Sequence, residues 1–386
     1  MRKTTACALF LLLEMFSLIF PKASMAITGS NEKTSTSSSN YRPIDSTGYR
    51  QALAIIQNKV PLTYNETVQR YIDLYLNSQK ARFARVLGLA KYYFPIYDKV
   101  FKARNVPEDL KYISVIESSL NPNAVSKVGA TGLWQFMYGT AKIYGLTIDN
   151  WVDERKDAAK ACNAAASYLL DSYFLYDDWL LAIASFNCGR NNIRWAIQQS
   201  GGKKDFWSIR PYLPAETQNY VPAFIATAYI MNNYWKHNIV PLDPGFTTNT
   251  QVVSVKTSLS LQAIAQAANV KVEELTALNP FYKKPIINGS IDNPKELILP
   301  VMQGNPLSGE LYTLLNGGKS ENPQVLNARA ATDDTRLVTH RVREGESLPN
   351  IANLYRVEVQ DIKAWNKLKS TALAPGQVLK IYTSAI

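Results

Sequence analysis

Apolar residues recur at helical spacing through the N-terminal part of the chain. Val68, Ile72 and Tyr75 lie three or four positions apart after Asn65, a residue type that caps helix starts. The same spacing continues downstream without a clear alternation of apolar and polar positions. The pattern predicts one all-α domain over residues 47–240, large enough to bury its own core.

A second pattern of apolar residues occurs twice in the C-terminal part, with one constant offset between the two copies. Each copy predicts a strand, two helices and a strand, which is a small α+β module. The first module spans 251–301 and the second 337–384, and the Gly-, Ser- and Asn-rich residues 302–336 predict a flexible linker. The chain is therefore predicted to be mainly α, with two small βααβ modules. The matching positions are Val255 with Val342, Leu261 with Leu348, Ile264 with Ile351, Val270 with Val357, Leu275 with Ile362, and Asn279 with Asn366.

The N-terminus has the pattern of an export signal. Arg2 and Lys3 precede an apolar run, and a small-residue site ends at Ala26. Residues 1–26 are therefore predicted to be a cleaved signal peptide, with an uncleaved anchor as the alternative. Residues 27–46 are rich in Ser, Thr and Asn and predict a flexible leader. The mature protein is expected in the periplasm or cell envelope.

The composition and net charge indicate which class of partner the protein binds. The 386 residues are 46% apolar and 19% charged, which is typical of a soluble globular protein. The net charge of +11 suits an anionic polymer, and for an exported protein we expect an envelope polymer and no nucleic acid. Two His and three Cys argue against a multi-zinc protein or a disulfide scaffold, and no metal or cofactor is expected. Whether Cys162 and Cys188 pair stays open, as does attachment to the envelope membrane.

Glu117 is placed by its neighbours at the end of a short apolar helix. Pro107, Glu108 and Asp109 are typical of a first helical turn, and Asn121-Pro122 stops the helix. The negative end of the helix dipole and burial both disfavour the ionised carboxylate, so we predict a raised pKa for Glu117. A glutamate that stays protonated near neutral pH suits a general acid. Taken alone, the pattern also fits a surface glutamate.

The residues after Glu117 form a dense motif. It reads Glu-Ser, Asn-Pro, Ala and Ser, then Gly-Ala-x-Gly-Leu-x-Gln-Phe-Met, and ends at Met137. Two further motifs are Ala184-Ser-Phe-Asn187-Cys-Gly189 and Glu216-Thr-Gln-Asn-Tyr220-Val221-Pro222. Together they resemble the lytic transglycosylase family, whose fold is similar to that of goose-type lysozyme. The resemblance implies a lysozyme-like all-α catalytic domain whose partner is the glycan strand of peptidoglycan.

The resemblance implies roles for six residues of the domain. Glu117 is implied to be the sole catalytic acid and base. Ser126 is implied to hydrogen-bond Glu117 or the N-acetyl group of the substrate, and Gln135 to bind the sugar at the cleaved bond. The other implied substrate-binding residues are Met137 in the cleft wall, Asn187 on the glycan and Tyr220 against Glu117 or its bound sugar.

Two positions depart from the family pattern. Phe186 stands where the family usually has Tyr, so any role of that hydroxyl is lost and Phe186 is expected only to pack. Arg190-Asn191 stands where Pro-Gly is common, which is expected to alter one loop of the cleft.

The motif contains one carboxylate, whereas most glycosidases use two. Asp153, Glu154 and Asp157 are interpreted as caps and ion pairs. The resemblance implies that Glu117 protonates the oxygen between N-acetylmuramic acid and N-acetylglucosamine. It then accepts the proton of the muramic hydroxymethyl group, which closes a 1,6-anhydro ring. A muramidase that uses water on the same fold and a non-catalytic peptidoglycan-binding scaffold remain as alternatives.

The second module resembles the LysM family, which binds polymers of N-acetylglucosamine. The start Gly-Glu-Ser-Leu, the pair Trp365-Asn366 and the ending Pro-Gly-Gln-Val-Leu carry the resemblance. The first module resembles LysM less closely, because Ser258-Leu-Ser-Leu261 replaces the usual start and residues 281–294 are read as an insertion. The residues implied to bind glycan are Gly345, Ser347, Leu348, Asn366, Pro375 and Gly376.

Overall fold

The computed structural model confirms a mainly α protein with two small α+β modules. The predicted signal peptide over residues 1–26 and residues 27–45 of the predicted leader lie outside the described residues. The described residues are 46–301, 308–318, 335–355, 357, 359–368 and 370–384.

Ten α-helices and four short 3₁₀ turns are described in the N-terminal domain. The predicted cap is confirmed, because the Asn65 Oδ1 atom accepts a hydrogen bond from the Val68 amide at 3.0 Å. The 3₁₀ turns span Glu108–Lys111, Glu154–Lys156, Arg210–Tyr212 and Tyr234–His237. The helices are α1 (Ser46–Ile56), α2 (Glu66–Ser78), α3 (Lys80–Ala103), α4 (Tyr112–Ser118), α5 (Tyr138–Ile143), α6 (Ala158–Tyr176), α7 (Trp179–Cys188), α8 (Arg190–Gln199), α9 (Phe206–Ile209) and α10 (Ala215–Asn233).

Helix α10 is the centre of this domain. Fourteen of its residues, from Thr217 to Asn233, are buried, which is expected for a helix that is apolar on every side. It contacts α1, α2, α4 and α7, so the surrounding helices are held against one core. The first turn of α10 and the last turn of α4 are the two parts of the domain that form the site described below.

The end of α4 is as the sequence predicts. A 3₁₀ turn over Glu108–Lys111 leads into the helix, and Ser119 ends it in the left-handed conformation with φ 55°. Leu120 is also left-handed, with φ 61°, before the Asn121-Pro122 stop. Glu117 therefore lies in the last turn of an apolar helix, with its neighbours Val115 and Ile116 buried.

Both modules have the predicted order of strand, helix, helix and strand. In each, the first and last strands pair antiparallel and the two helices pack on them. The first module also has a short pair, β2 with β3. Its elements are β1 (Thr250–Val255), β2 (Ser258–Ser260), α11 (Leu261–Ala268), α12 (Val272–Leu278), β3 (Ile286–Asn288) and β4 (Lys295–Pro300). Those of the second are β5 (Thr335–Arg341), α14 (Leu348–Leu354), α15 (Val359–Trp365) and β6 (Val378–Ser384).

The same asparagine holds each module together. Asn366 donates to the carbonyl of Lys380 at 2.8 Å and accepts from its amide at 2.7 Å. Asn279 does the same with Ile298, at 2.8 Å in both directions. The two partners are fourteen residues apart in the second module and nineteen in the first. The first module is thus five residues longer between these partners, in the stretch that contains the predicted insertion over residues 281–294.

The predicted linker over residues 302–336 is wrong in one part. Residues Gly309–Leu315 form a helix, α13, that packs on the first module. Leu311, Leu314 and Leu315 are buried, because their three- and four-residue spacing places them on one face. Residues 302–307 and 319–334 of the predicted linker lie outside the described residues.

The insertion of the first module lies against the helical domain. The Asp153 amide donates to the Phe281 carbonyl at 2.8 Å, and the Lys283 amide donates to the Trp151 carbonyl at 2.9 Å. Val152 and Tyr282 thus form an antiparallel bridge between the two domains. The first module is therefore joined to the helical domain by backbone hydrogen bonds as well as by the chain.

Three further features concern membranes, thiols and metals. Within the described ranges, no helix has the length and apolar character needed to cross a membrane. Cys162 is buried and Cys188 half-buried, and both are free thiols. The part of the chain that the structure describes has no group of three or more His, Cys, Asp or Glu side chains placed to hold a metal ion.

Candidate active site

Glu117 and Tyr220 meet where α4 ends and α10 begins. The Tyr220 hydroxyl donates a short hydrogen bond to the Glu117 Oε1 atom, although the two residues are 103 positions apart. Tyr220 is buried, with 1% of its surface exposed, whereas Glu117 is half-buried. The carboxyl group of Glu117 is thus held by a fixed donor and retains partial access to solvent.

The surroundings of Glu117 favour its protonated form. Burial raises the pKa of Glu117 from 4.5 to about 8, and the negative charge of Glu216 adds to this rise. The hydrogen bond from Tyr220 opposes the rise, because it stabilises the carboxylate. Since burial is the largest cause, the net pKa allows the carboxyl group to carry a proton near neutral pH. This agrees with the predicted direction.

Asn187 and Glu216 form a second polar pair next to Glu117. The Asn187 Nδ2 atom donates to Glu216 Oε1 at 2.9 Å, and the hydroxyl of buried Thr217 donates to Asn187 Oδ1 at 2.7 Å. Burial raises the pKa of Glu216, and the hydrogen bond from Asn187 opposes the rise. The side chain of Asn187 is therefore oriented by the same turn of α10 that carries Tyr220.

Ser126 and Gln135 shape the loop between α4 and α5. The Ser126 Oγ atom accepts from the Ala130 amide at 2.8 Å. Among the described residues 46–301, Ser126 makes no hydrogen bond with Glu117, so that part of the predicted alternative is not formed. The Gln135 Nε2 atom donates to the carbonyls of Ala124 at 3.0 Å and Gly132 at 2.9 Å. Gln135 thus fixes the loop, and within the part of the chain that the structure describes its side-chain oxygen accepts no hydrogen bond.

A buried ion pair supports this loop from beneath. Arg155 bonds to Asp153 at 2.6 and 2.9 Å and donates to the carbonyls of Gly129 at 3.1 Å and Phe136 at 3.3 Å. Gly132 has φ +87°, and a Cβ there would lie 1.9 Å from the carbonyl oxygen of Arg155. The loop therefore lies directly against the backbone of Arg155, which requires glycine at this position.

The remaining positions of the three motifs are at the surface or in the core. Met137 is 41% exposed immediately before α5. Phe186 packs edge-on against Trp134 and Tyr168, with ring centroids 6.3 and 5.3 Å apart, which agrees with a packing role. Arg190 donates to the Tyr144 hydroxyl at 2.7 Å and so ties the start of α8 to the end of α5.

The second module brings only some of its predicted glycan-binding residues to the surface. Gly345, Pro375 and Gly376 are exposed, in two loops that the amide of Gly376 joins through a 2.8 Å bond to the carbonyl of Val342. Ser347 caps α14 by accepting from the Asn350 amide at 3.4 Å. Leu348 is fully buried in the module core. As described above, Asn366 is engaged with the backbone of Lys380, so the structure gives it a role within the module.

Two residues of the site were not singled out from the sequence. Glu216 begins the motif that contains Tyr220, but nothing in its local pattern indicates that it lies near Glu117. Arg155 follows Asp153 by two positions, a spacing that also fits an exposed turn. A fully buried arginine is rare, and only the fold shows that Arg155 is one.

Comparisons with known proteins agree with this organisation. Residues 97–208 match the transglycosylase SLT domain family. Residues 249–310 match the family described as lytic transglycosylase MltD, LysM-like domain, and residues 340–381 match the LysM domain family. The chain therefore carries an SLT domain followed by an MltD-type LysM-like domain and a LysM domain.

Two curated relatives and one solved structure illustrate the similarity. Membrane-bound lytic murein transglycosylase D of Escherichia coli K12 is 28% identical over 332 residues, which are 84% of this chain and 70% of the relative. Soluble lytic murein transglycosylase of the same strain is 29% identical over 145 residues, 34% of this chain and 22% of the relative. The crystal structure of the 70 kDa soluble lytic transglycosylase of Escherichia coli matches 47% of this chain with a TM-score of 0.33 and 20% identity. The match spans 33% of that longer chain.

Proposed function

We propose that this protein cleaves the β-1,4 bond between N-acetylmuramic acid and N-acetylglucosamine and forms 1,6-anhydro-muramic acid, with Glu117 as the catalytic residue. The SLT domain and the murein transglycosylase relatives make the chain a peptidoglycan lytic transglycosylase. One observation carries the assignment to Glu117. Its carboxyl group has a pKa raised to about 8 and is held by the Tyr220 hydroxyl.

The first half of the proposed reaction uses protonated Glu117 as a general acid. A carboxyl group with a pKa near the working pH is protonated in a large fraction of molecules and still releases its proton readily. Glu117 gives that proton to the oxygen that bridges the two sugars, and the bond between this oxygen and the muramic acid C1 breaks. The substrate N-acetyl group stabilises the positive charge that develops at C1, as in substrate-assisted glycosidases.

The second half uses the ionised form. Glu117 removes the proton of the muramic C6 hydroxyl, whose oxygen bonds to C1 and closes the anhydro ring. The Tyr220 hydroxyl supports this step, because its hydrogen bond stabilises the carboxylate that the first step leaves behind. The attacking hydroxyl belongs to the substrate, so ring closure is unimolecular and consumes no water.

The other predicted residues are proposed to hold the sugars. The free side-chain oxygen of Gln135 is placed to accept a hydrogen bond from a substrate N–H or O–H group, because its nitrogen is held by the loop. Ser126 is proposed to donate to the substrate N-acetyl group, and Asn187 to contact the glycan from the end of α7, where Glu216 and Thr217 of α10 orient it. Met137 offers an exposed apolar contact at the end of the same loop.

The LysM domain is proposed to bind the glycan through the exposed residues Gly345, Pro375 and Gly376 and the half-buried Ser347. Binding at a second site raises the effective concentration of glycan at the cleft without new contacts there. The predicted export signal over residues 1–26 and the similarity to a membrane-bound relative support the proposal that the protein is located in the cell envelope.

A hydrolytic muramidase is the second candidate, and Glu216 is the observation that favours it. Its carboxylate lies near enough to Glu117 to raise the pKa of that residue, and two carboxylates are what hydrolysis by glycosidases generally needs. Against this, one oxygen of Glu216 accepts the hydrogen bond from Asn187, which gives Glu216 a structural partner.

Mass spectrometry of products from purified peptidoglycan distinguishes the two candidates. A lytic transglycosylase releases muropeptides one water lighter than hydrolysis products, whereas a muramidase releases reducing ends. We expect the Glu117→Gln variant to release no muropeptides but still to bind sacculi. The matched control is Glu108→Gln, an exposed glutamate before the same helix, which should leave release unchanged. Turnover by Glu117→Gln at the wild-type rate would contradict the assignment.

A further inference from the structure

A pocket that two arginines line lies between α2 and the start of α10. Its volume is about 300 Å³, and its wall is formed partly by the turn that precedes Tyr220. The lining residues are Thr67, Arg70, Tyr71, Leu74, Arg210 and Asn219. Both of the main walls lie outside the matched SLT region, since α2 precedes residue 97 and Arg210 follows residue 208.

The two arginines of the pocket lack carboxylate partners. Arg210 donates from Nε to the Gln218 carbonyl at 2.7 Å, which fixes its guanidinium group on α10. Arg70 makes only a long 3.4 Å bond from Nε to the Glu66 carbonyl on its own helix. Within the part of the chain that the structure describes, neither guanidinium has a carboxylate at ion-pair distance, Glu66 included. The terminal nitrogens of both side chains are therefore available to a ligand.

The Tyr71 hydroxyl shows that the positive charges of Arg70 and Arg210 act on the same pocket. Burial raises the pKa of Tyr71, and the positive charges of Arg210 and Arg70 oppose that rise. Both guanidinium groups therefore lie within electrostatic range of one half-buried hydroxyl. Two cations that share a pocket repel each other, and a bound anion removes that repulsion. The planar fork of arginine matches the two oxygens of a carboxylate.

The position of the pocket indicates where such a carboxylate comes from. Asn219 lines the pocket, and the next residue, Tyr220, holds Glu117. The pocket and the proposed reaction centre therefore share the first two turns of α10, on neighbouring faces of the helix. Peptidoglycan strands carry peptides on their muramic acid units, and these peptides end in free carboxylates. A strand in the cleft places such peptides beside the start of α10.

We propose that Arg70 and Arg210 form a subsite that binds a carboxylate of the stem peptide next to the cleaved bond. This inference rests on the proposed function and adds recognition of the peptide to that of the glycan. The subsite acts on affinity, since in the described part of the chain neither arginine is among the hydrogen-bond or charge partners of Glu117 and Tyr220. Its loss should raise KM for peptide-bearing strands and leave kcat unchanged.

Two soluble substrates test the subsite in the full chain: glycan strands with stem peptides, and strands from which an amidase has removed them. We expect the double variant Arg70→Gln/Arg210→Gln to raise KM about tenfold on peptide-bearing strands only. The matched control, Arg85→Gln/Arg194→Gln, changes the net charge equally at exposed positions outside the pocket and should raise KM on neither. Arg70→Gln alone keeps the Arg210 anchor on α10, and we expect it to raise KM partially with kcat unchanged, whereas misfolding would also lower kcat.

Binding of the released stem peptide, measured by calorimetry, gives a readout that does not depend on turnover. We expect the wild type to bind this peptide about tenfold more tightly than the double variant. Equal binding by the double variant and the control would overturn the subsite. So would an equal rise of KM on denuded strands, which would place the bound carboxylate on the glycan itself. Absence of anhydro products from the wild type on either substrate would instead refute the proposed function.

Discussion

Two neighbours act in opposite directions on the carboxyl group of Glu117. The Tyr220 hydroxyl stabilises the ionised form and so lowers the pKa, whereas the charge of Glu216 raises it. The resulting value of about 8 is thus a balance in which burial outweighs the hydrogen bond. Substitutions that preserve shape can shift this balance in either direction, which makes the assignment of Glu117 testable by its pH dependence.

The pH dependence of kcat/KM should shift in opposite directions in two variants. Tyr220→Phe removes the donor to Glu117, so the pKa of Glu117 rises and the alkaline limb moves up by about one unit. Glu216→Gln removes the negative charge but keeps an oxygen that accepts from Asn187, so the alkaline limb moves down. Profiles of both variants against wild type measure the two shifts. Shifts of the same sign would show that the limb does not report Glu117.

Glu117 should also lower the stability of the fold as pH rises. Its pKa is about 8 in the folded protein and 4.5 as the unperturbed value, so folded molecules retain a proton that unfolded molecules have lost between these values. The wild type therefore loses stability across this range, and Glu117→Gln does not. We expect the variant to be as stable as wild type near pH 4 and more stable by roughly 2 to 4 kcal/mol near pH 8. Denaturant titrations at both pH values measure the difference, and a constant difference would contradict the raised pKa.

At the scale of elements, the loop between α4 and α5 is held by the ion pair of Asp153 and Arg155, which lies outside the loop. Arg155 and Asp153 are both buried, and Arg155 holds the carbonyls of Gly129 and Phe136. Removing one partner of a buried pair leaves the other charge without compensation. The loop that carries Ser126 and Gln135 should therefore be sensitive to changes at residues that never contact the substrate.

Asp153→Ala should destabilise the protein by about 3 to 5 kcal/mol, because Arg155 then remains charged in the interior. The control is Lys160→Ala, which removes the neighbouring ion pair of Lys160 with Glu154 at 2.8 Å. Lys160 is 43% exposed, so this change should cost less than about 1 kcal/mol. Urea unfolding of both variants compares the two pairs, and equal losses would show that burial does not decide the difference.

Elements with local signals were predicted well from the sequence, and elements defined by distant contacts were not. The Asn65 cap, the end of α4 and the carboxylate caps at Asp153 and Asp157 follow from short-range patterns, and the structure contains each. Helix α13 was missed because its three leucines lie in a stretch dominated by Gly, Ser and Asn, and their burial depends on a partner surface. The pocket at Arg70 was missed because Arg70 and Arg210 are brought together only by the packing of α2 on α10.

At the scale of the whole molecule, the two modules differ in how much of their surface is free. In the second module, the Gly345 loop is exposed. In the first, the end of α13 lies against the corresponding loop, since the Lys256 amide donates to the Leu315 carbonyl at 2.8 Å and Thr257 is half-buried. The first module is in addition bonded to the helical domain through Phe281 and Lys283. We therefore expect sacculus binding to depend mainly on the second module.

We expect the contact of the first module with the helical domain to affect the reaction, because residues 149–155 connect this contact to the loop of Gln135. Lys283 donates from its amide to the Trp151 carbonyl, and the Asp153 amide donates to Phe281. Asp153 in turn holds Arg155, which holds the loop of Gln135. Backbone bonds of this kind leave no side-chain pattern, which is why the sequence indicated an insertion here but not its contact with the helical domain.

Lys283→Pro should lower kcat roughly tenfold with little effect on sacculus binding, because it removes one of the two backbone bonds that hold residues 151–153. Lys283→Ala is the matched control. It keeps the amide donor and loses only the side-chain contacts to Asp149 and Asp361, so kcat should stay near wild type. Hydrogen exchange should accelerate over residues 129–137 in the proline variant alone. If the proline variant instead lost sacculus binding and kept kcat, the first module would act as a glycan-binding domain and not as a support for the cleft.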